Sequence, residues 1–418
     1  MKPTCTAYTK KHENVHEVPS DHLKANYFQM KRFFFITIIA LTIIPFTSFS
    51  QSGDGSYRPF NTLPTAAPFL LISPDAKTGG MGEACVANTP DVGSIYANGA
   101  KLAFMEKESG IGVSYNPWMQ NLASDISLTY ITAFTRLSDR TTLAGSFRYF
   151  SLGNAPLLDI NRNSLGEYNP KEFALDATYS TSFGGNFSLG LAGRYIYSNL
   201  ASGLVVGGQN IKAGNAFAAD ISMYYRNKAP IFGEDALFAM GANISNIGTK
   251  ISYVDNGREY FLPTNLKLGC ALTLIPAEYN VITFALDLNK LLTPTEPVYS
   301  DASYTTIKKG LDPNRTVPSA LFSSFYDAPN GLKEELQEIS YSSGVEYWYA
   351  DLFGLRTGYV YQNPAKGNAE ALTMGAGVRY SEFGIDFAYL MPMRQTSPFS
   401  NTIRFTVLFN IEKQEKTK

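Results

Sequence analysis

Few residues in this chain could do covalent or metal chemistry, and their placement argues against it. All three histidines, His12, His16 and His22, precede the leader described below, so the mature chain is expected to carry no imidazole. Imidazole is the usual general base near neutral pH and a leading transition-metal ligand. Of the three cysteines only Cys85 and Cys270 lie beyond the leader, too few for a Cys-based zinc site or a disulfide framework. Cys270 also falls on the apolar face of its segment, which argues against a bridge to Cys85. There is no G-x-S-x-G elbow. Gly79, Gly80 and Gly82 superficially suggest a phosphate loop, but no Lys-Ser/Thr follows and no βαβ pattern surrounds them. The expectation is no catalytic residue, no metal site and no cofactor.

The remaining polar chemistry is ion pairing. Arg148, Asp176, Arg194, Asp220, Lys267, Asp287, Glu346, Arg379, Asp386 and Arg404 lie inside segments of alternating apolar and polar residues. Those segments show a two-residue period, which is that of a strand. In FSLGLAGRYIY, the apolar set Phe187, Leu189, Leu191, Tyr195 and Tyr197 opposes Arg194; in FAADISMYY, Phe217, Ala219, Ile221, Met223 and Tyr225 oppose Asp220. Ile126, Leu128, Tyr130 and Phe134 alternate with Ser127, Thr129 and Thr135. Ile403, Phe405, Val407, Phe409 and Ile411 alternate with Arg404, Thr406 and Asn410.

Fourteen such segments are read: 110–116, 124–136, 140–151, 171–183, 186–199, 214–227, 235–246, 263–275, 279–290, 338–350, 352–362, 370–380, 383–391 and 401–412. A lipid-facing Arg at mid-bilayer costs about 2–4 kcal/mol, yet all ten charges fall on the other register. The reading is an all-β, fourteen-stranded antiparallel transmembrane barrel, its apolar faces toward lipid and its charges cross-paired in a hydrated lumen. The 28 Phe and 26 Tyr suit interfacial girdles, and the mean hydropathy of −0.11 fits hydrophobicity hidden in alternation. No run after residue 50 is long enough for a membrane-spanning helix. A net charge of −1 with no internal basic run gives nucleic acid no electrostatic footprint.

Lys31 and Arg32 precede an apolar run from Phe33 to Phe46 and a small-residue site ending at Ser50, which reads as a secretory signal peptide starting at Met30. Residues 1–50 are therefore expected to be an upstream extension and a cleaved leader, residues 51–108 a hatch or plug, and residues 109–418 the barrel. No cysteine follows the leader in lipobox fashion, so no lipid anchor is expected. Connections alternate between short, as in LSD and PAE, and long, as in 152–170, 200–213, 247–262 and 291–337, with a modestly longer link after 227. Short turns belong on the periplasmic side, so even strand parity predicts an outer-membrane barrel with both termini periplasmic. Within the hatch, Thr89-Pro90-Asp91 is expected to open a helix.

The stretch APFLLISPDAKTGGMGEACVANTPDVGSIYANGAKLAF, residues 67–104, and SYNPWMQNL, residues 114–122, resemble the PorV family. These are outer-membrane barrel proteins of the type IX secretion system in Bacteroidetes, within the wider FadL-like group of hatch-bearing barrels. The resemblance implies a non-enzymatic role in protein export. Its partners would be the giant translocon barrel, the C-terminal signal domains of secreted cargo, a cell-surface attachment complex and outer-membrane lipid. It also puts Gly79, Gly80, Gly82, Tyr96, Asn98 and Lys101 in the hatch, the glycines for close packing on the wall. Where the family tends to read Y-W-N-P-A-K, this chain has Tyr96-Ala97-Asn98-Gly99-Ala100-Lys101, which predicts a looser hatch. The rival reading is a FadL-like channel for small hydrophobic molecules, which requires an apolar pocket at the hatch.

Partner contacts are expected in the long loops. Pro117, Trp118 and Met119 form the first, where Trp118 is read either as a protruding anchor or as an interfacial belt residue. Tyr299, Tyr304, Phe322, Phe325 and Tyr326 stand among polar residues in the longest. GLKEELQEI, residues 331–339, reads as a short helix whose charges make a solvated face.

Overall fold

A computed structural model describes residues 63–118, 125–158, 164–206, 208–231, 233–255, 257–300, 305–394 and 402–411. The expected leader, Met119 and Tyr304 lie outside the described residues. The strands in chain order begin with β1 (Ser109–Pro117), β2 (Ile126–Arg136), β3 (Thr141–Leu152), β4 (Ala155–Leu158), β5 (Ser164–Tyr168), β6 (Lys171–Phe183) and β7 (Phe187–Asn199). They continue with β8 (Val205–Val206), β9 (Gln209–Asn210), β10 (Gly214–Ile231), β11 (Glu234–Gly248), β12 (Asn265–Ala277), β13 (Asn280–Leu291), β14 (Val298–Tyr299) and β15 (Ile307–Lys309). The last are β16 (Ser340–Tyr349), β17 (Phe353–Tyr361), β18 (Glu370–Tyr380), β19 (Phe383–Pro392) and β20 (Thr402–Ile411).

Fourteen of these close an antiparallel barrel in the order β1-β2-β3-β6-β7-β10-β11-β12-β13-β16-β17-β18-β19-β20, sealed by β1 on β20 with Val113 opposite Val407. Closure leaves no unpaired strand edge, as hydrocarbon demands. The pairs β4-β5, β8-β9 and β14-β15 are small hairpins in the long connections. Alternation carries the wall: in β10, Phe217 is 67% exposed while Asp220 is 5% exposed. The link between β10 and β11 proves as short as the other tight turns, because both strands run past their expected ends.

β2 departs from the rule. Its apolar set, Leu128, Tyr130 and Phe134, is buried inside, while Ile131 faces out. The inward face has an apolar partner because the segment before β1 fills the lumen. That segment comprises a 3-10 turn at Pro68–Leu71, helix α1 (Ala76–Gly80), helix α2 (Ser94–Ala97) and a second 3-10 turn at Gly99–Phe104. Asp75 caps α1 by accepting from the Thr78 amide at 2.8 Å. The helix expected to open at Thr89 instead starts at Ser94, because Asp91 is held by Lys77 at 2.8 Å and takes the Ser94 hydroxyl at 3.2 Å.

The hatch crosses the lumen from end to end. At the long-loop end the Ala66 amide donates to the Phe261 carbonyl at 2.8 Å, and Phe69 and Leu70 pack with Trp118, Ile126 and Phe150. At the short-turn end Leu102 and Met105 pack with Phe134, Ala144 and Leu408. Strand parity puts Ser109 and Ile411 together at the short-turn end, but it does not govern Leu63, which lies a full lumen away.

Candidate functional site at the hatch and the long-loop mouth

The hatch backbone rests directly on wall positions that have no side chain. A Cβ on Gly344 would sit 2.3 Å from the Met81 carbonyl oxygen, one on Gly358 2.3 Å from the Gly82 nitrogen, and one on Gly241 2.6 Å from the Val86 oxygen. The hatch answers in kind. Gly80 lies against Gly375, Gly79 against the Arg404 side chain, and Gly82 adopts φ +63° with no room beside Tyr359 and Ser343. Only glycine takes that backbone conformation without strain. Thr373 then ties the seam, its hydroxyl accepting from the Gly82 amide and donating to the Gly80 carbonyl, both at 3.0 Å.

Some charges of the inner wall clasp this plug, and others pair across the wall with one another, as expected from the sequence. Asp287 accepts from the Cys85 and Val86 amides at 2.6 and 2.9 Å. Arg404 pairs with Glu83 at 2.9 Å and donates to the Ser73 hydroxyl. Arg148 donates to the Leu70 carbonyl at 3.0 Å and covers the rings of Tyr96 and Tyr130, while Lys267 approaches the Tyr96 ring at 4.5 Å from its centre. Arg194 bridges Asp176 and Asp220; Arg356 bridges Glu346 and Asp386, and Arg379 adds to Asp386. The hydrated lumen expected from the sequence is therefore replaced by a packed one. Removing one member of such a buried set strands the other, typically at about 3–5 kcal/mol.

Within the hatch, Lys101 donates to the Cys85 carbonyl at 2.8 Å and to Asn88 at 2.6 Å. The Asn98 amide donates to Val86 and Met223 carbonyls at 3.0 and 2.9 Å, and its oxygen accepts from the Ala100 amide at 3.1 Å. The Tyr96 hydroxyl donates to the Leu71 carbonyl at 2.9 Å. The looser hatch predicted from Gly99 is not found: a Cβ there would sit 2.8 Å from the Thr178 methyl. The cavity between hatch and wall beside Asp75, Asp91, Tyr130 and Asp386 measures about 10 Å³, room for a single water at most. A larger apolar cavity, about 470 Å³, is lined mainly by outward-facing side chains of the wall, among them Met223, Met240, Leu268 and Leu286, and so opens toward lipid and not between hatch and wall.

At the long-loop mouth the connection from β13 to β16 folds into β14-β15 and two helices, α3 (Val317–Ser323) and α4 (Leu332–Gln337). The expectation for α4 is inverted. Glu334, Glu335 and Glu338 are buried, whereas Leu332 is 72% exposed and Leu336 faces out as well. Lys290 at the end of β13 holds Glu335 at 2.8 Å and Glu338 at 2.6 Å. Lys366 in the β17–β18 loop holds Glu334 at 2.6 Å and Glu338 at 2.9 Å. These four bridges pull the acidic face of α4 onto the barrel, and with it they leave Phe322, Phe325 and Tyr326 projecting, at 75%, 48% and 67% exposure.

The other expected contacts are distributed differently. Trp118 is buried against the hatch cluster, which corrects both the anchor and the belt reading, and Pro117 ends β1 half-buried. Tyr299 in β14 lines an open cleft of about 490 Å³ with Pro64, Arg258, Tyr260, Glu296 and Asp312. The hatch seats Gly344 and Gly358 were missed from sequence, and Asp287, read as an inward charge paired within the lumen, proves to hold the hatch backbone. The available signal was glycine recurring at inward positions of Gly241, Gly269, Gly344, Gly358 and Gly375, where a barrel that holds only water has no use for it.

Solved structures resembling the chain include the Pseudomonas putida toluene transporter TodX, at 10% identity and a TM-score of 0.47, covering 84% of this chain and 98% of that one. The Ralstonia pickettii toluene transporter TbuX matches at 9% identity and a TM-score of 0.46, covering 81% and 98%. A Pseudomonas aeruginosa FadL homologue matches at 9% identity and a TM-score of 0.39, covering 84% and 99%. Comparison with curated proteins gives no match. The model of the family "Type IX secretion system protein PorV" matches residues 56–298, more than half of the chain. An outer-membrane barrel plugged by its own N-terminal segment, this chain belongs to the PorV family of the type IX secretion system.

Proposed function

We propose that the protein is a non-enzymatic carrier within type IX secretion. It would bind the C-terminal signal domain of cargo leaving the giant translocon barrel and deliver it to the cell-surface attachment complex. The long loops would face outward and the ends of the barrel wall, Ser109 and Ile411, the periplasm. The observation that carries this reading is the pairing of a lumen packed shut with a long-loop mouth whose largest aromatic side chains project into solvent. Nothing can pass such a barrel without expelling the hatch, whereas exposed aromatic anchors are what protein recognition uses.

Phe322, Phe325 and Tyr326 would supply the central contacts, with Tyr299 and the cleft beside it at the rim. Trp118 has no part, being buried. The hatch residues Gly79, Gly80, Gly82, Tyr96, Asn98 and Lys101 would act by keeping the mouth rigid, so that little ordering entropy is lost on binding. Deleting the gene should leave signal-bearing cargo in the periplasm; cargo reaching the surface at normal levels in that strain rejects the proposal. Uptake of a labelled fatty acid should be unchanged by the same deletion.

A further inference from the structure

The loop that carries the aromatic side chains contains one carboxylate that its surroundings do not satisfy. Asp327, between α3 and α4, is 1% exposed, and its oxygens meet no well-formed hydrogen bond among the described residues, the Thr295 amide being the donor that reaches toward it. Around it stand Glu335 of α4 and Glu338 just past its end, with Arg315 ahead of α3 the nearby opposing charge. The cations that dock the loop, Lys290 and Lys366, are already occupied by Glu334, Glu335 and Glu338. With Asp327 counted, the buried seam under the loop holds four carboxylates against two ammonium groups. A buried charge so short of donors is costly, and a neutral carboxyl is the cheaper state.

We propose that Asp327 makes the α3–α4 loop a proton-operated latch: protonated, it lets the loop dock rigidly on the barrel mouth, and ionised, it loosens the loop and sets the already exposed aromatic side chains in motion. Burial, then repulsion from Glu335, pushes the Asp327 carboxyl up from the ordinary 3.8 to about 6. In the lifted loop the group returns to its ordinary value. The contribution of Asp327 to docking is thus at its most favourable below about pH 4, loses ground as pH rises toward about 6, and reaches its weakest level above that, the four lysine–glutamate bridges carrying the docked state over the same window. Between pH 5 and pH 7 this shift corresponds to roughly a tenfold rise in the ratio of lifted to docked loop. The latch stands on the geometry of the loop alone; that it governs cargo contact rests on the function proposed above.

The test uses the full chain in liposomes with Phe322→Cys carrying a hydrophilic spin label, the unsubstituted protein serving as background for Cys85 and Cys270. The mobile fraction of the spectrum should rise with pH over the window from 5 to 7, and Asp327→Asn should hold the loop docked across it. If Asp327→Asn fails to form a heat-resistant barrel, Glu335→Gln serves instead, and removal of its repulsion should move the midpoint to lower pH. A pH-independent spectrum for the parent, or an unchanged response in either folded variant, overturns the proposal. Cargo signal domain is then added, at both pH values, to the unsubstituted protein with Phe322 in place. Binding at neither, with the latch response intact, would sink the proposed function and leave the latch standing.

Discussion

The seam between hatch and wall offers the sharpest quantitative prediction. In Gly358→Ala the new methyl would lie 2.3 Å from the Gly82 nitrogen, against an ordinary contact of at least 3.4 Å, so the hatch must retreat by about 1 Å. The obstacle is backbone on both sides, and no rotamer change relieves it. Retreat breaks the two hydrogen bonds through Thr373, which have a net value of about 1 kcal/mol each. Overpacking adds about 1–3 kcal/mol, for a total of about 3–5 kcal/mol. The matched control is Gly193→Ala on the lipid face, where a Cβ meets nothing within 4 Å and a small gain is expected from a stiffer unfolded chain. Denaturant unfolding in detergent should show a lowered midpoint for Gly358→Ala alone, and planar bilayers should show conductance through the loosened lumen where the parent is silent. Equal midpoints and silent bilayers for both variants would refute the claim that the hatch is held by glycine-to-backbone contact.

Three further outcomes follow from the same contacts. Asp287→Ala removes the acceptor of two buried amides, Cys85 and Val86, and should lower barrel stability by about 2–5 kcal/mol, read by the same unfolding assay. Replacing Phe322, Phe325 and Tyr326 together with Ala should weaken capture of cargo signal domain at least tenfold, roughly 1.4 kcal/mol or more, with an unchanged unfolding midpoint, since these side chains are exposed. Lys366→Met strands Glu334 and Glu338, so protease should cut the α3–α4 loop faster in the variant while the barrel wall stays intact on a gel.

The barrel was legible because its cues are local. Each strand shows its own period of two, each tight turn its own brevity, and the price of a charge in lipid puts Arg194 and Asp220 on the inner register before any partner is known. β2 shows where that logic stops: Leu128, Tyr130 and Phe134 alternate as a lipid face would, yet they point inward, because the hatch supplies an apolar surface there. The α4 helix errs for the same kind of reason. Its glutamates read as solvated, but Lys290 lies 45 residues before Glu335 and Lys366 lies 32 after Glu334, and docking brings them together.

Architecture, strand number and, β2 apart, the face each strand turns to lipid were set by the sequence through alternation and turn length, which act over a few residues. What fills the lumen, which charges clasp it and which aromatic side chains remain exposed were decided only by tertiary structure. Those features depend on partners about 200 to 330 residues apart, such as Asp287 with Cys85 and Arg404 with Ser73, and no short-range pattern records such pairings.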